Sequence, residues 1–312
     1  MVVSGSIAID RIMHFAGRYS EHIRPQKLDA LSISIFLDDL KDAYGGVGAN
    51  IAYSLALLGD EPVLVGAVGP DGLEYMEHLA HTGVNITHVF ESKLPTATFN
   101  VITDSDQNQV GGFYPGAMFD SASLSFAPWK NEAAIMVVSP HDPRAMKRQV
   151  AECKKWGLRL CYDIGQQVSN LPGDDMRAGV EAAEMLILNE YELAVLCQKT
   201  GLRAEELKRL VPVVITTLGK KGSIIEGKNL PQPIKIGVVP PTKVADPTGA
   251  GDAFRSGLLY GLARGWPLQA CAQMGAVCAT YAIEARGTQA HTFTYPQAAA
   301  RYAHTFNENP PK

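Results

Sequence analysis

The chain contains 312 residues, of which 46% are hydrophobic and 19% are charged. This is the composition of an ordinary globular protein, and the length suits one large α/β domain with a small appendage, or two small domains. The formal net charge is −4 and no basic run occurs, which disfavours nucleic acid or an anionic membrane as a partner.

The cysteines and the N-terminal segment indicate the cellular compartment in which the protein is expected. Five cysteines occur without a C-x-x-C pair, which is typical of reduced thiols in a cytoplasmic protein. The chain leads directly into a strand-like run, and no apolar stretch has transmembrane length. We therefore expect a cytoplasmic protein without a signal peptide.

The first residues predict a strand, and the segment after it predicts a separate small sheet. Residues 2–10 are mostly apolar, and Asp10 would then stand at the carboxyl end of a strand, where open α/β sheets bind ligands. Residues 31–35 alternate strictly between apolar and polar, as in a half-buried antiparallel strand. Because no helix precedes them, we assign 12–18 and 31–43 to a small sheet.

A glycine-rich segment, Gly45-Gly46-Val47-Gly48-Ala49-Asn50, opens the next predicted helix. Its glycines would let a ligand approach the helix N-terminus, and Asn50 offers both a donor and an acceptor. The segment is neither a dinucleotide fingerprint nor a P-loop. A turn that serves packing alone is the alternative.

Two further strand-like runs, 96–103 and 109–114, are joined by turn-forming residues and predict a hairpin of the same small sheet. The hairpin carries the aromatic residues Phe99, Phe113 and Tyr114. Each one alone is best interpreted as a core residue. As a group on a small lid, they could instead stack on a flat base.

The rest of the chain alternates short apolar runs with helical stretches, which predicts a parallel sheet with right-handed crossovers. The predicted strands are 62–68, 84–90, 134–139, 158–163, 185–189 and 211–217, and the predicted helices are 73–82, 143–156, 174–183, 190–199 and 267–285.

Polar residues stand where two of these strands end. Asn189 and Glu192 share the first turn of a helix, where their oxygens suit Mg²⁺ but equally suit a capping box. Thr217, Gly219 and Gly222 lie in a loop with two lysines, which suits nucleotide phosphates or a solvated hairpin turn. Local pattern alone leaves both pairs of alternatives open.

The most informative stretch is Asp246-Pro247-Thr248-Gly249-Ala250-Gly251-Asp252-Ala253-Phe254, a tight loop that opens a helix. Small residues at 249–251 let a ligand approach the free amides of the helix N-terminus, which makes an anion site. Asp252 inside that site could take a proton from an attacking hydroxyl. The alternative is a turn with Asp252 as a helix cap.

This longer string resembles the C-terminal signature of the ribokinase-like (PfkB) carbohydrate kinase family, and Gly45 to Asn50 resembles its N-terminal signature. Both signatures, the Asn-x-x-Glu and the Thr-x-Gly-x-x-Gly loop occur in family order, from about Ser6 to Gln289. The resemblance implies a ribokinase-like three-layer α/β fold with a central, mainly parallel sheet. It also implies a small β-sheet lid of residues 12–44 and 96–116 on a kinase domain of residues 1–11, 45–95 and 117–312.

The resemblance also implies roles for the site residues. Asp252 would be the catalytic base, and the amides of Gly249, Ala250 and Gly251 would form the anion hole. Asn189 and Glu192 would organise Mg²⁺ and phosphate through water, and Asn189, Thr217, Gly219 and Gly222 would bind ATP. The segment 287–289 would close over the nucleotide base and border a K⁺ site.

Three segments, 15–22, 36–40 and 113–118, are similar to bacterial adenosine kinases of the mycobacterial type. That similarity implies that Ser6, Asp10, Gly46 and Asn50 hold the nucleoside, that Phe99 and Phe113 sandwich the adenine, that Gln167 lies beside the base, and that the lids pair in a homodimer. The chain lacks the arginine that this group has near Asn170. We thus predict ATP-dependent phosphorylation of a nucleoside 5′-hydroxyl, adenosine to AMP first. The alternatives are a kinase for ribose, fructose or another nucleoside, and a binding protein on an inactive kinase scaffold.

Overall fold

The computed structural model describes residues 1–23 and 32–312, which form two sheets and the helices around them. The strands are β1 Val2–Ser4, β2 Ala8–Phe15, β3 Asp39–Gly45, β4 Val63–Val68, β5 Asn85–Glu91, β6 Ala97–Asp104, β7 Gln109–Tyr114, β8 Ile135–Val138, β9 Arg159–Asp163, β10 Met185–Asn189, β11 Val213–Thr217, β12 Ser223–Glu226 and β13 Ile234–Ile236. The helices are α1 Tyr19–His22, α2 Val47–Leu57, α3 Leu73–Thr82, α4 Pro143–Trp156, α5 Gly173–Ala182, α6 Glu190–Thr200, α7 Ala204–Leu210, α8 Ala250–Ala263, α9 Leu268–Ile283 and α10 Tyr295–Phe306.

The large sheet has the order β13-β12-β11-β10-β9-β8-β1-β4-β5. The strands from β11 to β5 are parallel, and β12 and β13 are antiparallel additions at one edge. Strands such as β8, whose residues are all buried, are apolar throughout because helices cover both faces of a parallel sheet. The carboxyl ends of these strands share one edge, where ligands bind in open sheets.

Helices cover the two faces of the large sheet and make a three-layer structure. One face packs against α2, α8, α9 and α10, and the other face packs against α4, α5, α6 and α7. The apolar side chains at the centre of both interfaces are fully buried. The predicted ribokinase-like architecture, with a mainly parallel sheet and a small second sheet, is confirmed.

The small sheet has the order β3-β2-β6-β7, in which β2 is antiparallel to β3 and parallel to β6, and β6 is antiparallel to β7. The prediction of one continuous strand over 2–10 was wrong, because the chain leaves the large sheet after Ser4 and enters the small sheet at Ala8. At the crossing, Gly5 packs directly against Gly48, and the Ser6 amide donates to the Pro140 carbonyl. Asp10 therefore lies inside a strand of the small sheet rather than at the carboxyl end of a strand in the large one.

The prediction of a strand at residues 31–35 was wrong where the structure describes them, and the segment 31–43 enters the small sheet only at its end. Leu31 lies outside the described residues, residues 32–37 are in no strand, and β3 begins at Asp39. In the antiparallel pair of β2 and β3, Asp39 lies opposite His14, so residues before Asp39 would lie opposite the end of β2. There the chain leaves the sheet and leads into α1. The side chains at 32–37 still alternate between exposed and half-buried, but no strand continues beside them. The division into kinase domain and lid stays a prediction.

The other predicted strands and helices fall close to their predicted positions, whereas α7, α10 and β13 were not predicted. The helices α3 and α4 have the predicted bounds, and Gly83 and Gly157 follow them with positive φ angles of 106° and 66°. All five cysteines are unpaired, as predicted. Within residues 1–23 and 32–312, no helix is both long and apolar enough to cross a membrane.

We predict that Gly46→Ala destabilises the protein far more than Gly59→Ala. Both glycines have positive φ, 91° and 86°, so alanine costs about 1 kcal/mol of backbone strain at either position. A Cβ at Gly59 meets no atom within 4 Å, whereas a Cβ at Gly46 would lie 2.6 Å from the Ser6 carbonyl oxygen. Urea unfolding of the two variants checks this, and equal losses would contradict the close packing at Gly46.

Candidate active site

The glycine loop and the N-terminus of α8 form the centre of the site. Gly249 caps the helix with a φ of 79°, and the loop is fixed by Asp246, whose carboxylate accepts the amides of Thr248 (2.9 Å) and Gly287 (3.2 Å). The Ala250 amide donates a long bond of 3.3 Å to Pro247. Among the described residues, no acceptor faces the amides of Gly249 and Gly251. Free amides at a helix N-terminus can hold an anion.

Asp252 lies in the first turn of α8 and faces the N-terminus of α2. Its Oδ2 accepts a hydrogen bond of 2.9 Å from Asn50 Nδ2, and Asn50 Oδ1 accepts one of 2.9 Å from Gln289 Nε2. Gln289 also contacts the Tyr75 hydroxyl, which donates to the Gly45 carbonyl at 2.8 Å. This chain of hydrogen bonds holds the Asp252 carboxylate between two helices.

Burial raises the pKa of Asp252 and of Asp10, so both carboxylates resist ionisation. For Asp252 the Arg255 guanidinium and the Asn50 hydrogen bond oppose the rise, and Glu192 adds to it. For Asp10 the negative charges of Asp252 and Asp246 add to burial and raise the pKa to about 6. Carboxylates with raised pKa values that share a cleft are typical of functional sites.

The cluster around Asp10 depends on two glycines. The Asp10 carboxylate lies against the Gly45 backbone, where a Cβ would overlap it. Gly46 caps α2, and the Ser6 hydroxyl accepts the Val47 amide at 3.0 Å. The structure thus brings the sequence-predicted residues Ser6, Asp10, Gly46 and Asn50 together at the N-terminus of α2.

The small sheet carries Phe99 and Phe113 on the same face as Asp10, and Tyr114 on the opposite face. Asp10, Phe99 and Phe113 are register partners across β2, β6 and β7, so their side chains point the same way. Phe99 and Phe113 are 38% and 47% exposed, so the interpretation of these residues as core was wrong. On the same face Ala97 and Val101 are buried, so the exposed part of this face is the part around the two rings. The Phe99 ring leans over Gly111, where a Cβ would lie 3.1 Å from it.

Gln167 lies just after β9 and is held by the protein at both ends of its amide. Its Nε2 donates to the His141 carbonyl at 2.8 Å, and its Oε1 accepts from Asn170 Nδ2 at 3.1 Å. Only 9% of the residue is exposed. These contacts fix the amide, and they place Asn170 beside it.

The carboxyl ends of β10 and β11 form a second cluster. Asn189 and Thr217 are register partners, and Asn189 and Glu192 make a complete capping box with two bonds of 2.8 Å. Gly219 and Gly222 shape the following loop with φ angles of 56° and 89°. Lys220 and Lys221 in that loop are exposed, so their charges are available to an anion.

The residues present fit a hydrated Mg²⁺ at this cluster. The capping box occupies Oδ1 of Asn189 and Oε2 of Glu192, which leaves Oε1 of the Glu192 carboxylate. Over the part of the chain that the structure describes, no group of three or more His, Cys, Asp or Glu residues could hold a metal ion directly. A dication here would therefore keep most of its waters and share phosphate oxygens, as Mg²⁺ does.

Sequence reasoning missed a buried ion pair between the two clusters. Arg255 donates to Asp163 Oδ1 at 2.6 Å, and the Asp163 carboxylate closes β9 at the same sheet edge. Burial raises the pKa of Asp163 to about 7, and Arg255 opposes that rise. The available signal was the position of Arg255, three residues after Asp252 on one helix face. The link from Gln289 to Asn50 was missed as well.

Comparison with known proteins assigns the family. The family model described as "pfkB family carbohydrate kinase" matches residues 9–294. The fold is the one found in the carbohydrate kinase class that this model describes. The chain belongs to the pfkB family, as its two signatures predict.

Individual relatives cover almost the whole chain. A nucleoside kinase of Methanothermobacter thermautotrophicus is 31% identical over 100% of this chain and 98% of its own. The nucleoside kinase of Burkholderia thailandensis in complex with inosine has a TM-score of 0.87 and 28% identity, and 99% of each chain is covered. The Methanocaldococcus jannaschii nucleoside kinase has a TM-score of 0.85 and 26% identity, with 97% of each chain covered.

We predict that Asp10→Asn stabilises the ligand-free protein at pH 8. A folded-state pKa of about 6 against an ordinary 3.8 means that the ionised carboxylate opposes folding above pH 6, by about 3 kcal/mol at most. The gain should shrink as the pH falls below 6, to about a third at pH 4.5, and vanish only well below pH 3.8, where the unfolded carboxylate is protonated as well. Urea unfolding at pH 8 and pH 4.5 measures it.

The exposed carboxylate Glu132 supplies the control, because Glu132→Gln should leave the free energy of unfolding unchanged at both pH values. An Asp10→Asn variant that is less stable than the parent at pH 8 would contradict the buried, crowded carboxylate.

Proposed function

We propose that this protein is an ATP-dependent nucleoside kinase that phosphorylates the ribose 5′-hydroxyl. One observation carries the proposal: the Asp252 carboxylate stands beside the free amides of the α8 N-terminus and is held by Asn50. A base next to an anion hole is the pair that phosphoryl transfer to an alcohol requires. The names of the relatives, nucleoside kinases that align over nearly the whole chain, support the same substrate class.

The substrate would lie between the lid and the N-terminus of α2. Asp10 would accept hydrogen bonds from the ribose hydroxyls, and Asn50 would donate to them or accept from them. Ser6 and Gly46 would line the same side of the substrate site. Phe99 and Phe113 lie on the same face of the small sheet as Asp10, and their rings would stack on the base. Because both rings belong to one sheet face, we expect them to form a platform for the base, in place of the predicted sandwich.

The chemistry would proceed by in-line transfer. The 5′-oxygen would attack the γ-phosphorus of ATP while Asp252 accepts the hydroxyl proton. The bond from the γ-phosphorus to the bridging oxygen would break, and ADP would leave with the electron pair. The amides of Gly249, Ala250 and Gly251 would stabilise charge on the transferred group. The bond from the Ala250 amide to Pro247 is long enough for a phosphate oxygen to displace it.

The second cluster would bind the nucleotide. Asn189, Thr217, Gly219 and Gly222 would line the phosphates, with the exposed lysines of the same loop nearby. Mg²⁺, when bound near Asn189 and Glu192, would neutralise phosphate charge. A K⁺ site beside residues 287–289 stays a prediction.

Adenosine is the substrate that we propose first. The three segments similar to adenosine kinases of the mycobacterial type and the Gln167 amide support it. Stacking accepts any flat base, and Asn170 stands where that group has an arginine, so another nucleoside is the nearest alternative. A kinase for ribose or fructose is the next one, but a free sugar would leave the exposed Phe99 and Phe113 without a partner.

We also propose that the lid pairs with a second copy of the chain. The lid exposes apolar side chains on both faces, among them Ile12, Leu40 and Val110. Exposed apolar patches on a small sheet are typical of an interface. A homodimer through the lid is therefore the expected solution state, and sedimentation velocity measures it.

The first test is ADP release with ATP and Mg²⁺ across adenosine, guanosine, inosine, cytidine, ribose and fructose. We expect turnover with nucleosides, highest with adenosine, because only they fill the aromatic platform. Turnover with a free sugar alone would contradict the nucleoside proposal. Release that needs no acceptor, or none at all, would favour a binding protein on a kinase scaffold.

Asp252→Asn should lower kcat by about 100-fold or more, because an amide cannot accept the hydroxyl proton. Nucleoside affinity should stay within about threefold, since the remaining contacts are unchanged. Isothermal titration and ADP release measure the two quantities. The control is Asp60→Asn, at the end of α2 far from Asn50. Near-normal turnover in Asp252→Asn would remove Asp252 from its proposed role.

A further inference from the structure

A buried ion pair lies beneath the proposed base and is not explained by folding alone. Arg255 NH2 donates to Asp163 Oδ1 at 2.6 Å, with side chains that are 9% and 0% exposed. Such pairs seldom stabilise a fold, because desolvation of two charges offsets their attraction. The pair is also incompletely satisfied, since Arg255 Nε and Asp163 Oδ2 are buried without a hydrogen-bond partner in the described chain.

The guanidinium of Arg255 packs against the proposed anion hole. A Cβ built on Gly251 would lie 2.8 Å from NH1 of Arg255, so the absence of a side chain at 251 lets the cation reach the loop backbone. Asp163 is the last residue of β9, and its hydrogen bond holds the guanidinium at the edge of the large sheet. The loop, the helix and the sheet are therefore joined through one side chain.

Arg255 is also the positively charged residue within a cluster of carboxylate side chains. Asp252 and Arg255 lie on α8, Glu192 faces them from α6, and Asp163 from β9. Asp10 on β2 is close enough to Asp252 for the two negative charges to interact. Asp246 in the glycine loop also acts on Asp10. Among the described charged groups around Asp252, Arg255 alone is positive, so its field opposes both burial and the neighbouring negative charges.

We propose that Arg255, tethered by Asp163, is a positioning residue that keeps the Asp252 carboxylate ionised and supports the glycine loop from below. The inference rests on the proposed function, because it assigns Arg255 to the same phosphoryl-transfer site. Arg255 acts through Asp252 and through the backbone of Gly251. Without that cation, burial and Glu192 would raise the pKa of Asp252 further, and a carboxylate that holds its proton cannot accept one from the substrate.

The direct test is the titration of Asp252 in ligand-free protein that carries ¹³C-labelled aspartate, with the Asp252 signal assigned from Asp252→Asn. Arg255→Gln, which keeps a donor for Asp163 but removes the charge, should raise the pKa of Asp252 by about 1 pH unit or more. Arg255→Lys keeps the charge and should leave it within about 0.3 pH units. Asp163→Asn keeps an acceptor for Arg255 and should not raise it.

These variants separate the proposed role from a structural one. An ion pair that only stabilises the fold predicts the same disturbance whichever partner is neutralised. No upward shift in Arg255→Gln, or an upward shift in Asp163→Asn, overturns the proposal. If Arg255→Gln does not fold, Arg255→Met, which also removes the charge, takes its place: an upward shift in the pKa of Asp252 supports the proposal, and no upward shift overturns it.

Kinetics provide a second readout. In Arg255→Gln the acid limb of kcat/KM for the nucleoside should move up by the same pH unit, because activity needs ionised Asp252. The loss should be about tenfold at a pH below both limbs and should recover at pH 9. A loss that is equal at every pH overturns the proposal. If the parent protein phosphorylates no nucleoside, the proposed function fails, while the titration of Asp252 still decides the role of Arg255.

Discussion

The hydrogen bond between Asn50 and Asp252 is the contact on which the site depends. It joins the N-termini of α2 and α8, which come from distant parts of the chain. Both helices begin at a glycine with a positive φ, so both present free amides to the same cleft. Gln289 fixes the other end of the Asn50 amide, which leaves the asparagine one orientation.

This arrangement gathers negative charge at the place where, in the proposed function, the phosphates of ATP also bind. Asp10, Asp252, Glu192 and Asp163 are all wholly or largely buried near the carboxyl edge of the large sheet, and burial is the first cause of each pKa rise that is resolved among them. Helix N-termini, the Arg255 guanidinium and a bound dication can balance that charge. Sites of this kind trade stability of the empty protein for chemistry.

Local signals in the sequence were sufficient for most of the fold. Gly83 and Gly157 end α3 and α4 because they take left-handed conformations, and the apolar runs of β8 to β11 reflect burial on both faces. The two signatures predicted which residues meet at the helix N-termini. The assignment of roles to those residues came from the family resemblance, since local pattern left the capping-box and turn alternatives open.

The remaining features depend on contacts between distant segments. The crossing at Gly5 is set by its packing on Gly48, which no local pattern shows. Phe99 and Phe113 are apolar residues of the kind found in cores, yet 38% and 47% of their surfaces are exposed, although Val101 on the same sheet face is buried. The pair of Asp163 and Arg255 joins positions that lie 92 residues apart, so only the folded chain reveals it.

The most direct measurement of the central claim is the position of the transferred phosphate. A single turnover with ATP, Mg²⁺ and adenosine, analysed by ³¹P NMR with proton coupling, should give a phosphate monoester coupled to the two 5′ protons of the ribose. That result would identify the 5′-hydroxyl as the phosphate acceptor, as the account requires of the group that Asp252 deprotonates. A monoester at the 2′ or 3′ position, or inorganic phosphate alone, would contradict the account.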